Sequence, residues 1–404
     1  MEHGKKKLPK YRQRERTKRI RNIKYSIQPT YNGCSTLFSY AYLAEMSPTK
    51  AIDYLERCRE YSNFVILDSG VFTMRRLGLE LDVERYGAFA REVSKRGLVD
   101  VVVNMDHGSH WEMRKNFGII RSYVKDHAYV MWVHQPIHGF DSLRNIAKEF
   151  PYIGLGTFGL DNGISAILRT PEIHSYYKTC SKILKDYGAT FHGFAMTAGD
   201  ILLDPDIEWG TVDSSSWLAG RRWGFQMLTC KETGKKIRLP QPYSNTNRQT
   251  DGGATLSTLP VGQAIKLLDD YGIHLKDYQK FNGNEMTALG AVSAYNLEQF
   301  VWNKRKNNPD ICKRLNDIGL YTLAETKKPF RLVLVIGTEE CRIAVKVAQQ
   351  ARTKQMMEWR RKQSNEKVLS RLHKIRFKKN VKKIKSLESV FKTKKKTKKT
   401  KKRR

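Results

Sequence analysis

The sequence predicts an α/β protein: a TIM-type (β/α)8 barrel with a basic N-terminal arm and a basic C-terminal tail, part helical and part disordered. Three observations point there. Short apolar runs alternate with stretches of helical period at about 30–40 residues per unit, the mark of βαβ units and a parallel sheet. Each apolar run ends in polar residues or glycines. The positive charge is concentrated at the two ends of the chain, so the part between them has the composition of an ordinary globular domain.

The elements follow in order. Phe64-Val65-Ile66-Leu67 is four apolar residues between polar turns and reads as a buried strand. Val99–Met105, Ala128–Val133, Tyr152–Leu155, Thr190–Ala195 and Trp209–Val212 read the same way. Pro48–Tyr61 places Ala51, Tyr54, Leu55 and Cys58 on one helix face. Val83–Lys95, Glu112–Lys125, Asp141–Phe150 and Pro171–Tyr187 repeat that period, the last opening on a proline suited to the first helical turn. This alternation fits a (β/α)8 barrel or a large doubly wound sheet. Beyond Gly224, residues 225–258 are rich in Gly, Thr, Asn and Pro and read as an inserted loop. Leu259–Tyr271 and Glu285–Lys304 read as helices, Leu332–Ile336 is the longest strand-like cluster, 344–390 is a basic helical pattern, and 391–404 is a low-complexity lysine run. The expected division is an arm over 1–24, a barrel over 25–343 and an extension over 344–404.

The chain has 404 residues and a formal charge of +34. Residues 1–24 carry 11 basic against 2 acidic side chains and residues 351–404 carry 24 against 3, leaving 39 against 35 between them. Cationic runs of this density attract a polyanion through counterion release, so nucleic acid is the expected partner. The N-terminal charges are followed by no apolar secretory core, and no run approaches the roughly 18 apolar residues of a membrane span. The six cysteines share no CxxC spacing, which predicts neither a disulfide framework nor secretion. A cytoplasmic protein without a membrane partner is expected.

The functional signal lies at the strand ends. Leu67 is followed by Asp68-Ser69-Gly70, Met105 by Asp106-His107, Val133 by His134-Gln135, and Val212 by Asp213-Ser214-Ser215-Ser216, while Leu155 sits between Gly154 and Gly156. In a parallel barrel all these ends open on one face, where active sites sit. Helix capping explains any one Asp or Ser; it does not ask for Gln135 or for three separate carboxylates. Two or three carboxylates on one rim suit chemistry at an anomeric carbon, one attacking C1′ while another trades a proton with the leaving group. His107, His110, His134 and His138 match no helical ligand motif, and no metal and no cofactor is expected. Ser214–Ser216 lack a nucleophile elbow and are read as bonding phosphate or shaping their loop.

In series, these motifs resemble those of the tRNA-guanine transglycosylase superfamily. Ile66–Phe72 (ILDSGVF) resembles its TDSGGFQ segment, Val103–Asp106 its strand ending in an Asp that grips the guanine edge, and Val133–Pro136 its VQG segment. Ile153–Gly156 resembles the IGGL clamp, His192–Thr197 falls where the family has MGVGTP, and Asp213–Gly224 resembles DCVLPTRNARNG. The resemblance implies Asp213 as covalent nucleophile, Asp68 as proton-transfer acid/base, and Asp106 and Gln135 as holders of the base edge. It further implies Ser69 beside the base, backbone approach at Gly154, Leu155 and Gly156, stacking by Phe72 or His192, and nucleic-acid contacts from Ser214 and Arg222. The family's CxCxxC…His zinc site is missing in recognisable form, since Cys230 is followed by no cysteine until Cys312. That departure and the DSSSW loop look more like the branch, often phage-encoded, that exchanges guanine in DNA for a preQ0-type 7-deazaguanine. The expectation is a ping-pong exchange on DNA with a free 7-deazaguanine base as second substrate; the same chemistry on tRNA, a nucleoside hydrolase and a non-catalytic nucleic-acid-binding barrel are the alternatives. Oligomeric state is left open, a homodimer included.

Overall fold

The computed structural model describes residues 34–351 and 354, apart from 77, 157–170, 198, 241–247, 250–254, 257–259, 305–307, 321–329 and 338–340. Eight parallel strands close into a barrel in the order β1-β12-β7-β6-β5-β4-β3-β2. They are β1 (Cys34–Ser39), β2 (Ser62–Asp68), β3 (Val101–Val103), β4 (Tyr129–His134), β5 (Tyr152–Leu155), β6 (Thr190–Gly193), β7 (Trp209–Ser214) and β12 (Arg331–Ile336). Helices follow the strands and cover the outside, including Pro48–Arg59, Val83–Lys95, His110–Val124, Gly139–Glu149 and Pro171–Asp186. The closed barrel, one of the two architectures that the alternation fits, is the one found.

Strand alternation divides the core in two. Phe64 and Ile66 of β2, Val101 and Val103 of β3, and Met131 and Val133 of β4 pack inside the barrel, where Ile311 and Leu315 of the helix Pro309–Asp317 join them. The residues between them, Val65, Leu67, Val102 and Trp132, face the helix layer. Successive side chains on a strand point to opposite faces, so the inward phase carries on to Asp68 on β2, Gln135 just past β4, and Asp213 after Thr211 on β7.

Several expectations are corrected. Strand β1 was not read from the sequence, because Cys34-Ser35-Thr36 dilutes its apolar character although all six of its residues are buried. β3 is shorter than Val99–Met105, while β7 runs two residues past Val212, so Asp213 lies within a strand. Residues 225–258 are not a plain loop: β8 (Phe225–Thr229) and β9 (Lys236–Pro240) form an antiparallel hairpin, and β10 (Arg248–Gln249) pairs with β11 (Thr255–Leu256). The barrel body extends beyond 343, since Ala344, Val345 and Ala348 are buried in the outer core. Residues 341–351 are helical. The arm over 1–24, the lysine run over 391–404 and nearly all of the pattern over 344–390 lie outside the described residues.

The 22-residue helix Gly283–Lys304 is buried along most of its length and backs the segment that follows β7. A Cβ at Gly290 would run into the carbonyl oxygen of Trp217 and stand 2.8 Å from Nε2 of Gln226. The first obstacle is backbone, which cannot rotate aside. Gly290→Ala is therefore expected to cost about 1–3 kcal/mol through overpacking, checked by urea unfolding at neutral pH.

Candidate active site

Three carboxylates meet at the C-terminal mouth of the barrel. Asp68 ends β2, and its Oδ2 accepts from the backbone N–H of Gly70 at 3.0 Å. That turn needs a glycine: Gly70 has φ +75°, and a Cβ there would stand 2.7 Å from the amide nitrogen of Ala41. Burial pushes the Asp68 carboxyl up to about 7, with the charges of Asp106 and Asp213 adding to the rise. Asp106 follows β3, and its Oδ2 accepts from Nε2 of Gln135 at 2.5 Å. Burial raises Asp106 to about 6, against the hydrogen bonds to it and the positive charge of Arg75.

Tyr86, from the helix Val83–Lys95, sets the two strand ends beside each other. Its buried hydroxyl lies 3.2 Å from the carbonyl of Leu67 and 2.9 Å from that of Val103. A phenol has one proton, so the group straddles the two acceptors. It therefore ties the residue before Asp68 to the strand that leads to Asp106.

Asp213 is held by a different set of contacts. Its Oδ1 accepts from the backbone N–H of Ala195 at 2.8 Å and from Nε2 of His192 at 3.2 Å. The other ring nitrogen of His192, Nδ1, is hydrogen-bonded with Thr211 Oγ1 at 2.6 Å; a neutral ring that donates from Nε2 would accept there. Thr211 in turn accepts from the Tyr152 hydroxyl at 2.5 Å, a phenol that burial keeps protonated. The buried chain runs Tyr152, Thr211, His192, Asp213. Ala195 adopts φ +54°, a conformation that costs a residue bearing a Cβ about 1 kcal/mol or more, and in it donates its N–H to Asp213. No partner for Oδ2 of Asp213 is present among the described residues.

The other expected site residues take different parts. His192 is fully buried and engaged at both ring nitrogens, one of them against Asp213. Phe72 is 43 % exposed on the helix Val71–Arg76 and remains available for stacking at the rim. The buried hydroxyl of Ser69 has no hydrogen-bond partner among the described residues. Gly154 makes room for Phe194, whose ring would be 2.6 Å from an added Cβ, and Gly156 makes room for the Gln135 side chain. The Leu155 side chain packs in the outer core while its carbonyl accepts from Phe194 N–H at 3.3 Å. The three residues thus serve side chains of the site, where the resemblance implied a backbone clamp on the base.

Ser214 turns away from the mouth. Its hydroxyl donates to Ser216 Oγ at 2.7 Å, and Ser216 Oγ accepts from Lys236 Nζ at 3.0 Å. It is 5 % exposed, and its hydrogen bonds to Ser216 lie within the loop. Arg222 lies on the short helix Ala219–Trp223, and its side chain is outside the described residues. Lys236, Thr211, Tyr152 and Ala195 were not singled out from the sequence. Period two from Asp213 points to Thr211; the rest depend on cross-strand register, such as His192 opposite Thr211.

Three of the four noted histidines gather on the outer side of β4. The rings of His110 and His138 are 5.7 Å apart and those of His134 and His138 6.2 Å. His134 is fully buried with neither ring nitrogen partnered. Burial and the neighbouring histidines push it down to about 4. Among the described residues, no three His, Cys, Asp or Glu side chains form a group that could hold a metal ion, and no helix there is long and apolar enough to cross a membrane.

Comparison with known proteins finds no family model and no curated protein that matches the chain.

Two stability measurements follow from these ionisations. A carboxyl raised from 3.8 to about 7 on folding destabilises the folded state increasingly as pH rises through that window. Asp68→Asn is expected to stabilise the protein by at least about 1 kcal/mol at pH 8, with the gain shrinking toward pH 4. His134 has the opposite sign: with a folded value of about 4 against an ordinary 6.5, it favours unfolding as pH falls below 6.5. Replacing it by Leu should remove on the order of 3 kcal/mol from the acid-side loss of stability, read from denaturation midpoints between pH 7 and pH 4.

Proposed function

We propose that the protein is a base-exchange glycosyltransferase acting on DNA, replacing guanine by a preQ0-type 7-deazaguanine through a covalent enzyme intermediate. The observation that carries this reading is the division of labour among the three carboxylates. Asp213 is anchored by one oxygen and presents the other. Asp68 is raised close to neutrality beside it. Carboxylates with environments this different are the usual arrangement for separate nucleophile and acid/base roles.

In the first half-reaction Oδ2 of Asp213 attacks C1′, the C1′–N9 bond breaks, and the leaving guanine takes a proton from Asp68. A glycosyl ester on Asp213 remains. The 7-deazaguanine then enters the same pocket and gives its N9 proton to Asp68, and N9 displaces the carboxylate from C1′. Asp106 and Gln135 offer a paired acceptor and donor to the amide and amino edge of either base, and the unpartnered Ser69 hydroxyl gives a further polar contact. Phe72 covers the base from the rim. No metal and no cofactor takes part in these steps. The choice of DNA rests on the motif resemblance together with the two cationic ends, which supply salt-dependent affinity for a polyanion. A cytoplasmic setting accords with that partner.

The test is incorporation of a radiolabelled 7-deazaguanine base into plasmid DNA and, in parallel, into bulk tRNA. Label in DNA is expected with the wild type and absent with Asp213→Asn. Label confined to tRNA would overturn the substrate and keep the chemistry. Base release without incorporation would indicate a hydrolase, and DNA binding without either would indicate a non-catalytic barrel. Because Asp68 must be protonated to release guanine, trapping of the covalent intermediate should fall as pH rises through about 7. Asp68→Asn should lower its rate about 10²–10⁴-fold and flatten that profile.

A further inference from the structure

Two large apolar side chains stand out on the described surface: Trp111 is 70 % exposed and Ile137 is 88 % exposed, the highest values among the large hydrophobic residues. Both leave the barrel at its C-terminal face beside the proposed base pocket. Trp111 lies in the first turn of His110–Val124, five residues after Asp106, and Ile137 lies in the short 3-10 turn Pro136–His138, two residues after Gln135.

The two segments touch each other. His110 and His138, the immediate neighbours of Trp111 and Ile137, approach ring to ring at 5.7 Å. His110 also packs on Trp132 at 5.5 Å, and His138 on the buried His134 at 6.2 Å. The neighbour of each exposed residue thus packs, tilted or edge-on, against a ring of β4. These ring contacts anchor the two segments that carry the projections, which follow Asp106 and Gln135 in the chain. Lys115 Nζ stands 5.9 Å from the Trp111 ring centre, placing a cation beside the tip.

We infer that Trp111 and Ile137 form a wedge that enters the base stack of duplex DNA and fills the space vacated by the target guanosine. This inference rests on the base-exchange reading and specifies the substrate form of that site. A guanine inside a duplex cannot reach a pocket at the mouth of a barrel without leaving the stack, at a cost of a few kcal/mol. Apolar side chains inserted between base steps offset that cost, and aromatic faces stack on any base. Lys115 places a cation beside the Trp111 ring, where a backbone phosphate would pass, and the cationic chain ends favour a polyanion as the partner.

The experiment compares wild type with the double variant Trp111→Ala/Ile137→Ser on three oligonucleotides of one sequence: the duplex, the duplex with a mismatch opposite the target guanine, and the single strand. The double variant is expected to incorporate label at least tenfold more slowly into the matched duplex and within twofold of wild type into the other two. Trp111→Phe should restore most of the duplex rate. A 2-aminopurine placed next to the target should brighten with wild type and not with the double variant. Equal rates on all three substrates, an equal loss on all three, or a change in oligomeric state measured by light scattering would each overturn the wedge. If the wild type incorporates label into none of the three, the base-exchange reading fails, and the 2-aminopurine signal then decides the wedge alone.

Discussion

The constraint on which the rest depends is the closure of eight parallel strands. Closure brings every C-terminal strand end to one rim, so residues far apart in the chain share a small, poorly hydrated mouth. Asp68, Asp106 and Asp213 come from three strands, and each by itself is an ordinary polar strand end. Brought together in one mouth they are partly withdrawn from water, and Asp68 is raised by the fields of the other two. That proximity works against stability, and it is what the proposed chemistry would draw on: a carboxyl raised toward neutrality next to one anchored by a single oxygen.

The protein surrounds this destabilised group with fixed geometry. Tyr86 straddles the carbonyls at the ends of β2 and β3. On the other side of the mouth, the Tyr152–Thr211–His192 chain and the strained Ala195 amide converge on a single oxygen of Asp213. Hydrogen bonds already oriented in this way would need little reorganisation in the proposed reaction. The hairpin β8–β9 and the buried helix Gly283–Lys304 extend the same support behind β7, with Lys236 reaching Ser216 and Gly290 permitting close contact with Trp217.

The outer side of the mouth has another character. Around β4 the side chains of Gln135 and His134 diverge, one toward the carboxylates and the other into a cluster of histidines and Trp132. This is the alternation of a strand continued by one residue. It lets a single strand end serve the carboxylate cluster inward while its outward aromatic contacts hold His110 and His138, the neighbours of the exposed Trp111 and Ile137.

Much of this was legible in the sequence. Apolar runs such as Phe64–Leu67 and Tyr152–Leu155 marked strands, the spacing of Ala51, Tyr54, Leu55 and Cys58 marked a helix, and Asp68, Asp106, Gln135 and Asp213 stood out because polar residues directly followed apolar ones. These features are local, set by side-chain periodicity and by where it breaks. Strand β1 escaped notice because burial inside a closed barrel accepts Ser35 and Thr36, which hydropathy alone does not mark as core. The role of His192 depended on register, since only the pairing of β6 with β7 sets it against Thr211 and within reach of Asp213. The same holds for Gly154 and Gly156, whose missing side chains are filled by Phe194 and Gln135 from other strands. The sequence by itself determined the periodic elements and the polar strand ends. The tertiary structure decided which of those ends meet, which side chains point inward, and how burial alters their ionisation, because contact between distant strands and loss of water are properties of the closed barrel and of no segment within it.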